Sequence, residues 1–142
     1  MIRSYQLNFN STPSFISLLE LTKPVTWFPP MWAFLCGVVS VGGLNSDNFI
    51  IILSGLILAG PLVCGMSQAV NDWCDRHVDA INQPDRPIPS GRVTARWGFF
   101  TGITMSVVSI LFAYYLGSLI FFATIAGVLA AWLYSLEPIR LK

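Results

Sequence analysis

Four apolar runs, at about 25–41, 48–70, 97–116 and 119–136, constrain this chain more than any other feature. A hydrocarbon core of about 30 Å is crossed by about 20 helical residues at 1.5 Å each, so each run is long enough to span a bilayer. The predicted fold class is all-α: a polytopic membrane helical bundle with four transmembrane helices. With 54% hydrophobic and 11% charged residues and a mean hydropathy of +0.65, the chain is too apolar for an ordinary soluble domain of 142 residues.

The segments around these runs are short. Phe15 to Pro24 places its apolar residues mostly at helical spacing, which predicts an amphipathic helix lying at the interface or entering the membrane. Pro24, Pro29 and Pro30 are expected to kink or interrupt the start of the first span, with Trp27 and Trp32 in an interfacial aromatic belt. Residues 42–47 and 117–118 read as turns. Met1 to Ser14 carries only Arg3 among charged residues and lacks the apolar core of a secretory signal, so it reads as a retained cytoplasmic leader. Cys36, Cys64 and Cys74 have spacings that suit neither a disulfide framework nor a zinc site, and they read as small core residues. No internal repeat or linker divides the chain, so 1–142 reads as one domain or part of one.

The basic residues set the orientation. With four spans, Arg3, Lys23, Arg76, Arg86, Arg92, Arg96, Arg140 and Lys142 all fall on one side and the two short turns hold none. Both termini and the polar loop at 71–96 are therefore expected on the cytoplasmic side. A formal charge of +1 without a basic stretch gives no basis for nucleic acid binding.

Most of the chemistry lies between Asn71 and Arg92, which hold four of the seven acidic residues, three of the eight basic ones and the single histidine. If the second span continues as a helix, Asp72, Asp75 and Asp79 are spaced i, i+3 and i+7 and fall within roughly 60° of one another. One or two carboxylates, completed by water and phosphate oxygens, are how proteins usually hold magnesium. Arg76, Arg86 and Arg92 could add charge-assisted hydrogen bonds to a diphosphate, and Asn71 a neutral ligand or donor. The same pattern also describes a solvated, salt-bridged helix face. Its position directly after an apolar span favours a site for an ionising leaving group at the mouth of an apolar cavity. His77 reads as a cap on the bundle mouth, the run Pro84 to Gly91 as a rigid loop, and Tyr114, Tyr115 and Tyr134 as interfacial anchors.

Asn71-Asp72-Trp73-Cys74-Asp75-Arg76-His77-Val78-Asp79 resembles the NDxxDxxxD signature of the intramembrane (UbiA-type) prenyltransferases. Ala80-Ile81-Asn82, Arg86 to Gly91, Lys23 to Trp32 and Tyr134 to Lys142 look like the chlorophyll and bacteriochlorophyll synthase branch, and the wording Phe28-Pro29-Pro30-Met31-Trp32 leans towards the latter. The resemblance implies a transferase that esterifies the propionate of a (bacterio)chlorophyllide with a geranylgeranyl or phytyl group from its diphosphate. It implies that Asn71, Asp72, Asp75 and Asp79 hold the diphosphate through Mg2+, and that the protein is integral to a photosynthetic membrane.

The family's second aspartate-rich motif has no counterpart here, since Glu137 is the only acid after Asp85. The resemblance therefore implies the N-terminal half of the domain, inactive without the rest. The alternative is a non-catalytic membrane subunit bound to a light-harvesting or reaction-centre complex. An ion conduit fits poorly, because no charged residue lies midway in any span.

Overall fold

The computed structural model describes residues 12–136, and among them all regular structure is helical. The readings made on 1–11 and 137–142, including most of the leader and the last six residues of the resemblance, lie outside the described residues.

Helix α1 (Phe15–Leu21) is capped by Ser14, whose Oγ accepts from the Ser17 amide at 3.2 Å. Ser17 and Leu21 are buried while Phe15 and Ile16 face outward, the expected amphipathic split. The helix stops because Lys23 precedes a proline, which disfavours the right-handed helical conformation. A 3-10 turn (Pro24–Trp27) then leads into α2 (Phe28–Ser40). Pro29 and Pro30 do not interrupt this helix. They lie in its first turn, where a missing N–H costs nothing.

The next rod is continuous: α3 (Phe49–Ile57), a π-helical segment (Leu58–Cys64) and α4 (Gly65–Asn82). Pro61 lies inside the π segment, which accommodates its missing donor and its ring. With the 3-10 turn that opens it (Ser46–Asn48), this element has 37 residues, Ser46–Asn82. At 1.5 Å each it is about 55 Å long, well over a hydrocarbon core of about 30 Å, so part of the rod must project from the bilayer. The projecting turns carry the polar motif.

Helix α5 (Ala95–Leu116) begins at a Thr94 cap, and α6 (Ser118–Ser135) follows after Gly117 alone, at φ 121°. The rod, α5 and α6 are long and apolar enough to cross a membrane. The expected span at 25–41 is a 13-residue helix plus a four-residue 3-10 turn. Together these measure about 28 Å, which leaves three such helices among the described residues and not four.

Two apolar clusters hold the bundle. Leu21, Ala69, Ile88 and Val93 join α1, α4 and the loop at 83–94. Met66, Val70 and Val128 join α4 to α6, with Met105 and Trp132 against them. Helix α5 meets its neighbours through buried Gly98, Gly102, Ser106, Ser109 and Ala113, a stripe of small residues that lets helices approach closely. A Cβ at Gly102 would lie 2.9 Å from Val70 Cγ2. The Trp132 indole donates to Ser106 Oγ at 3.1 Å, tying α6 to α5. Cys64 and Cys74 are half-buried, whereas Cys36 is exposed on α2 and is not the core residue expected.

Gly102→Leu is expected to destabilise the bundle by about 1–3 kcal/mol through overpacking against Val70. The same change at Gly127, where a Cβ meets nothing within 4 Å, should be neutral to slightly stabilising, and denaturant titration in micelles compares the two.

Candidate functional site

The last turns of α4 place Asp72 and Asp79 on the face covered by α1 and the following loop. Their side chains are 1% and 9% exposed. Two buried carboxylates need counter-charges, and both receive them. Arg86 Nη1 donates to Asp79 Oδ2 at 2.5 Å and to Asp72 Oδ1 at 3.2 Å, and Lys23 Nζ donates to Asp72 Oδ1 at 2.6 Å. Two cations therefore face two anions. Asp72 Oδ2 is buried with no hydrogen-bond donor among the described residues.

Lys23 reaches Asp72 from a left-handed backbone conformation, φ 47° and ψ 71°. That conformation is strained for a residue with a side chain, and it persists where the surroundings over-determine it. Thr26 supplies this locally, its amide and hydroxyl both donating to the Lys23 carbonyl at 2.8 Å. The Trp27 indole donates to the Thr22 carbonyl at 2.9 Å, so Trp27 braces this turn.

Arg86 is set by a loop pinned at both ends. The Ser90 amide donates to the Arg86 carbonyl at 2.9 Å and the Val93 amide to the Pro87 carbonyl at 2.9 Å, while Ile88 and Val93 are buried below. Gly91 takes φ 77° at the turn between them. Arg92 closes the loop onto α1 by pairing with Glu20 through both Nη atoms and donating to the Asp85 carbonyl at 2.7 Å. The Arg92 hydrogen bond holds the Glu20 carboxyl below its usual range, against a small opposing effect of burial. Glu20 in turn raises the Arg92 guanidinium. Both groups are exposed, so the pair contributes at most about 1 kcal/mol, and its value is in fixing the loop's position.

Lys23, Ser67, Gln68, Asn71 and Arg86 line a cavity of about 610 Å³ walled by Ala130, Ala131, Tyr134 and Ser135 of α6. A second cavity of about 460 Å³, lined by apolar groups such as Phe34, Ile51, Leu58 and Val63 with Ile120 and Gly127, lies along the same two elements. Val63 and Ser67 are four residues apart on the rod and Gly127 and Ala131 four apart on α6, so about one helical turn separates the two linings. They are two cavities, one polar and one apolar, set side by side along the rod and α6.

The expected site residues divide accordingly. Asp72, Asp79 and Arg86 come together; Asn71 lines the polar cavity with Arg86, and its amide donates to Asp75 Oδ2 at 3.1 Å. Arg76 does not join them. Its Nη1 donates to the Trp73 carbonyl at 2.7 Å and the guanidinium lies over the Trp73 ring, beside His77 in a separate cavity of about 320 Å³. Arg92 is spent on Glu20. Among the described residues no group of three or more His, Cys, Asp or Glu is arranged to hold a metal ion. Lys23 and Gln68 are members that the sequence reading passed over as site residues. The one available signal was a lysine directly before a proline at the head of an apolar run.

The profile of the UbiA prenyltransferase family matches residues 25–142. The chain belongs to the UbiA prenyltransferase family. It is 59% identical over 136 residues to the bacteriochlorophyll synthase 33 kDa chain of Cereibacter sphaeroides, an overlap covering 96% of this chain and 45% of that one. To the chain of the same name from Rhodobacter capsulatus it is 60% identical over 132 residues, covering 93% and 43%. To the chloroplastic chlorophyll synthase of Oryza sativa subsp. japonica it is 36% identical over 133 residues, covering 87% and 35%. The chain spans less than half the length of these curated relatives. No solved structure matches it.

In this UbiA-family site, Arg86→Met is expected to cost about 3 kcal/mol, because Asp79 loses its cation and Asp72 one of two. Adding Asp79→Asn should recover part of that loss, and equilibrium unfolding of both variants in micelles measures the difference.

Proposed function

We propose that residues 25–142 form the N-terminal half of an intramembrane prenyltransferase domain, and that the protein acts as a bacteriochlorophyll or chlorophyll synthase. The observation that carries this reading is the adjacency of two cavities along the rod and α6, one lined by Lys23, Arg86 and Asn71 and the other by hydrocarbon. Such a pair suits an amphiphile with an anionic head. The similarity to chains named bacteriochlorophyll synthase supports a prenyl diphosphate as donor and a (bacterio)chlorophyllide as acceptor.

In this reading Lys23, Arg86 and Asn71 face the diphosphate and orient it, and the tail lies against Val63, Leu58 and Ile51. Burial at this mouth excludes water that would otherwise capture the prenyl group. The C–O bond of the donor breaks as negative charge gathers on the diphosphate, and the pigment's propionate oxygen takes the prenyl carbon. The cationic side chains stabilise the departing anion where it forms.

Asp72, Asp75 and Asp79 would hold Mg2+ in this reading, with ligands beyond the described residues completing the site. What supports it is the buried Asp72 oxygen that has no hydrogen-bond donor among the described residues, with Asp75 and Asp79 one and two turns on. When bound, the ion would supply charge neutralisation and polarisation of the leaving group. The partner half of the domain would supply the remaining ligands and cover the outward apolar faces. In the most apolar stretches of the three long helices only 17 to 22% of residues are buried.

The topology belongs to the same proposal: α2 with its 3-10 turn is the first of four spans, the motif loop and both termini are cytoplasmic, and the membrane is photosynthetic. In a variant lacking the three native cysteines, Ser90→Cys in spheroplasts is expected to resist a membrane-impermeant thiol reagent while Ser46→Cys reacts; the reverse pattern overturns the orientation.

The activity test joins this chain to the C-terminal half of a full-length relative and assays membranes for esterified pigment. The fusion is expected to turn over and either half alone is not. Asp72→Asn in the fusion should lower turnover by about a hundredfold or more. A folded but inactive fusion, or full activity in Asp72→Asn, overturns the reading.

A further inference from the structure

Lys23 has two places for its ammonium. At present it sits on Asp72 Oδ1 at 2.6 Å, yet it is 26% exposed and also lines the polar cavity. Its backbone is fixed by Thr26 and by the turn that Trp27 braces, so the head can swing on its flexible stem while the Cα stays in place. Arg86 has less of this freedom, because its guanidinium bridges two buried carboxylates, Asp79 at 2.5 Å and Asp72 at 3.2 Å, where Lys23 meets one. Asp72, 1% exposed, cannot be left without a counter-charge, and its second oxygen has no hydrogen-bond donor among the described residues.

We infer that Lys23 is the resident counter-ion of Asp72, standing in for a divalent cation, and that it yields Asp72 when that cation arrives and turns its ammonium to the diphosphate. The inference rests on the proposed metal-and-diphosphate site and adds a positioning residue to it. Lys23 keeps Asp72 neutralised. Its release by one ligand creates a hydrogen-bond donor for the other, so the two ligands bind cooperatively, each raising the affinity of the other by the same factor.

The chain has two lysines, Lys23 and Lys142, which makes amine reactivity a direct readout. Purified chain in micelles is acetylated and each lysine is quantified by mass spectrometry, with Mn2+ alone and with Mn2+ plus inorganic pyrophosphate. Lys23 is expected to react about tenfold faster with Mn2+ alone and to be protected again when pyrophosphate is added, while Lys142 stays constant. Mn2+ titration by electron paramagnetic resonance should show Lys23→Met binding the ion about tenfold more tightly than wild type, with a smaller gain from pyrophosphate, and Lys23→Arg behaving like wild type. If Lys23→Met does not fold, the acetylation experiment on the wild-type chain still decides. Mn2+ binding that is lost in Asp72→Asn, with unchanged Lys23 reactivity, overturns the exchange and leaves the metal site standing. Mn2+ binding that is equal in Asp72→Asn and wild type overturns both.

Discussion

A carboxylate shut away from water must be neutralised where it stands, and Asp72 is neutralised by two cations that come from opposite directions along the chain. Lys23 arrives from the junction of α1 and α2, and Arg86 from the loop after α4. Much of the local architecture can be understood as what brings them there. The break before Pro24 turns the chain so that the lysine points back over α4, and Ile88 and Val93 sink into the core so that Arg86 is held above Asp79. Leu21 and Ala69 fill the floor between them. If either approach were displaced, a buried charge would be left uncompensated, which is among the costlier defects a fold can carry.

The membrane-spanning part serves this cluster by length and by closeness. A rod of 37 residues is longer than the hydrocarbon it crosses, so its apolar half and its charged end belong to different solvents. The π segment lets Pro61 sit within that rod without ending it. Small residues along α5 bring α4 and α6 close, and the Trp132 to Ser106 hydrogen bond fixes one helix against the other. An apolar and a polar cavity then lie next to each other along the rod and α6. A prenyl diphosphate has that polarity along its own length, which is why the proposed function rests on both cavities and not on the acids alone.

Particular residues show what could be read in advance. The apolar runs at 48–70, 97–116 and 119–136 were legible because burial in hydrocarbon is a local demand on consecutive residues, and the helices follow them closely. The helical continuation through Asp72, Asp75 and Asp79 was a condition of the reading, and α4 meets it by running to Asn82. The first run was harder: Pro24, Pro29 and Pro30 suggested interruption, yet two of them sit in a first helical turn that has no use for their missing amides. Arg76 and Arg92 were plausible diphosphate ligands by proximity in sequence. Helical rotation turned the first onto Trp73, and loop closure gave the second to Glu20.

By itself the sequence determined an all-helical membrane chain with its charges gathered at one end of a long span, together with the family signature those charges form. Each of these is a property of neighbouring residues and their periodicity. Only the tertiary structure decided which cation meets which acid. Lys23 and Asp72 are 49 residues apart, and the one local mark on that lysine, the proline after it, says nothing of which acid it meets. Packing of α1 and the loop onto α4 made the pairing, and with it buried Asp72, one of whose oxygens has no hydrogen-bond donor among the described residues.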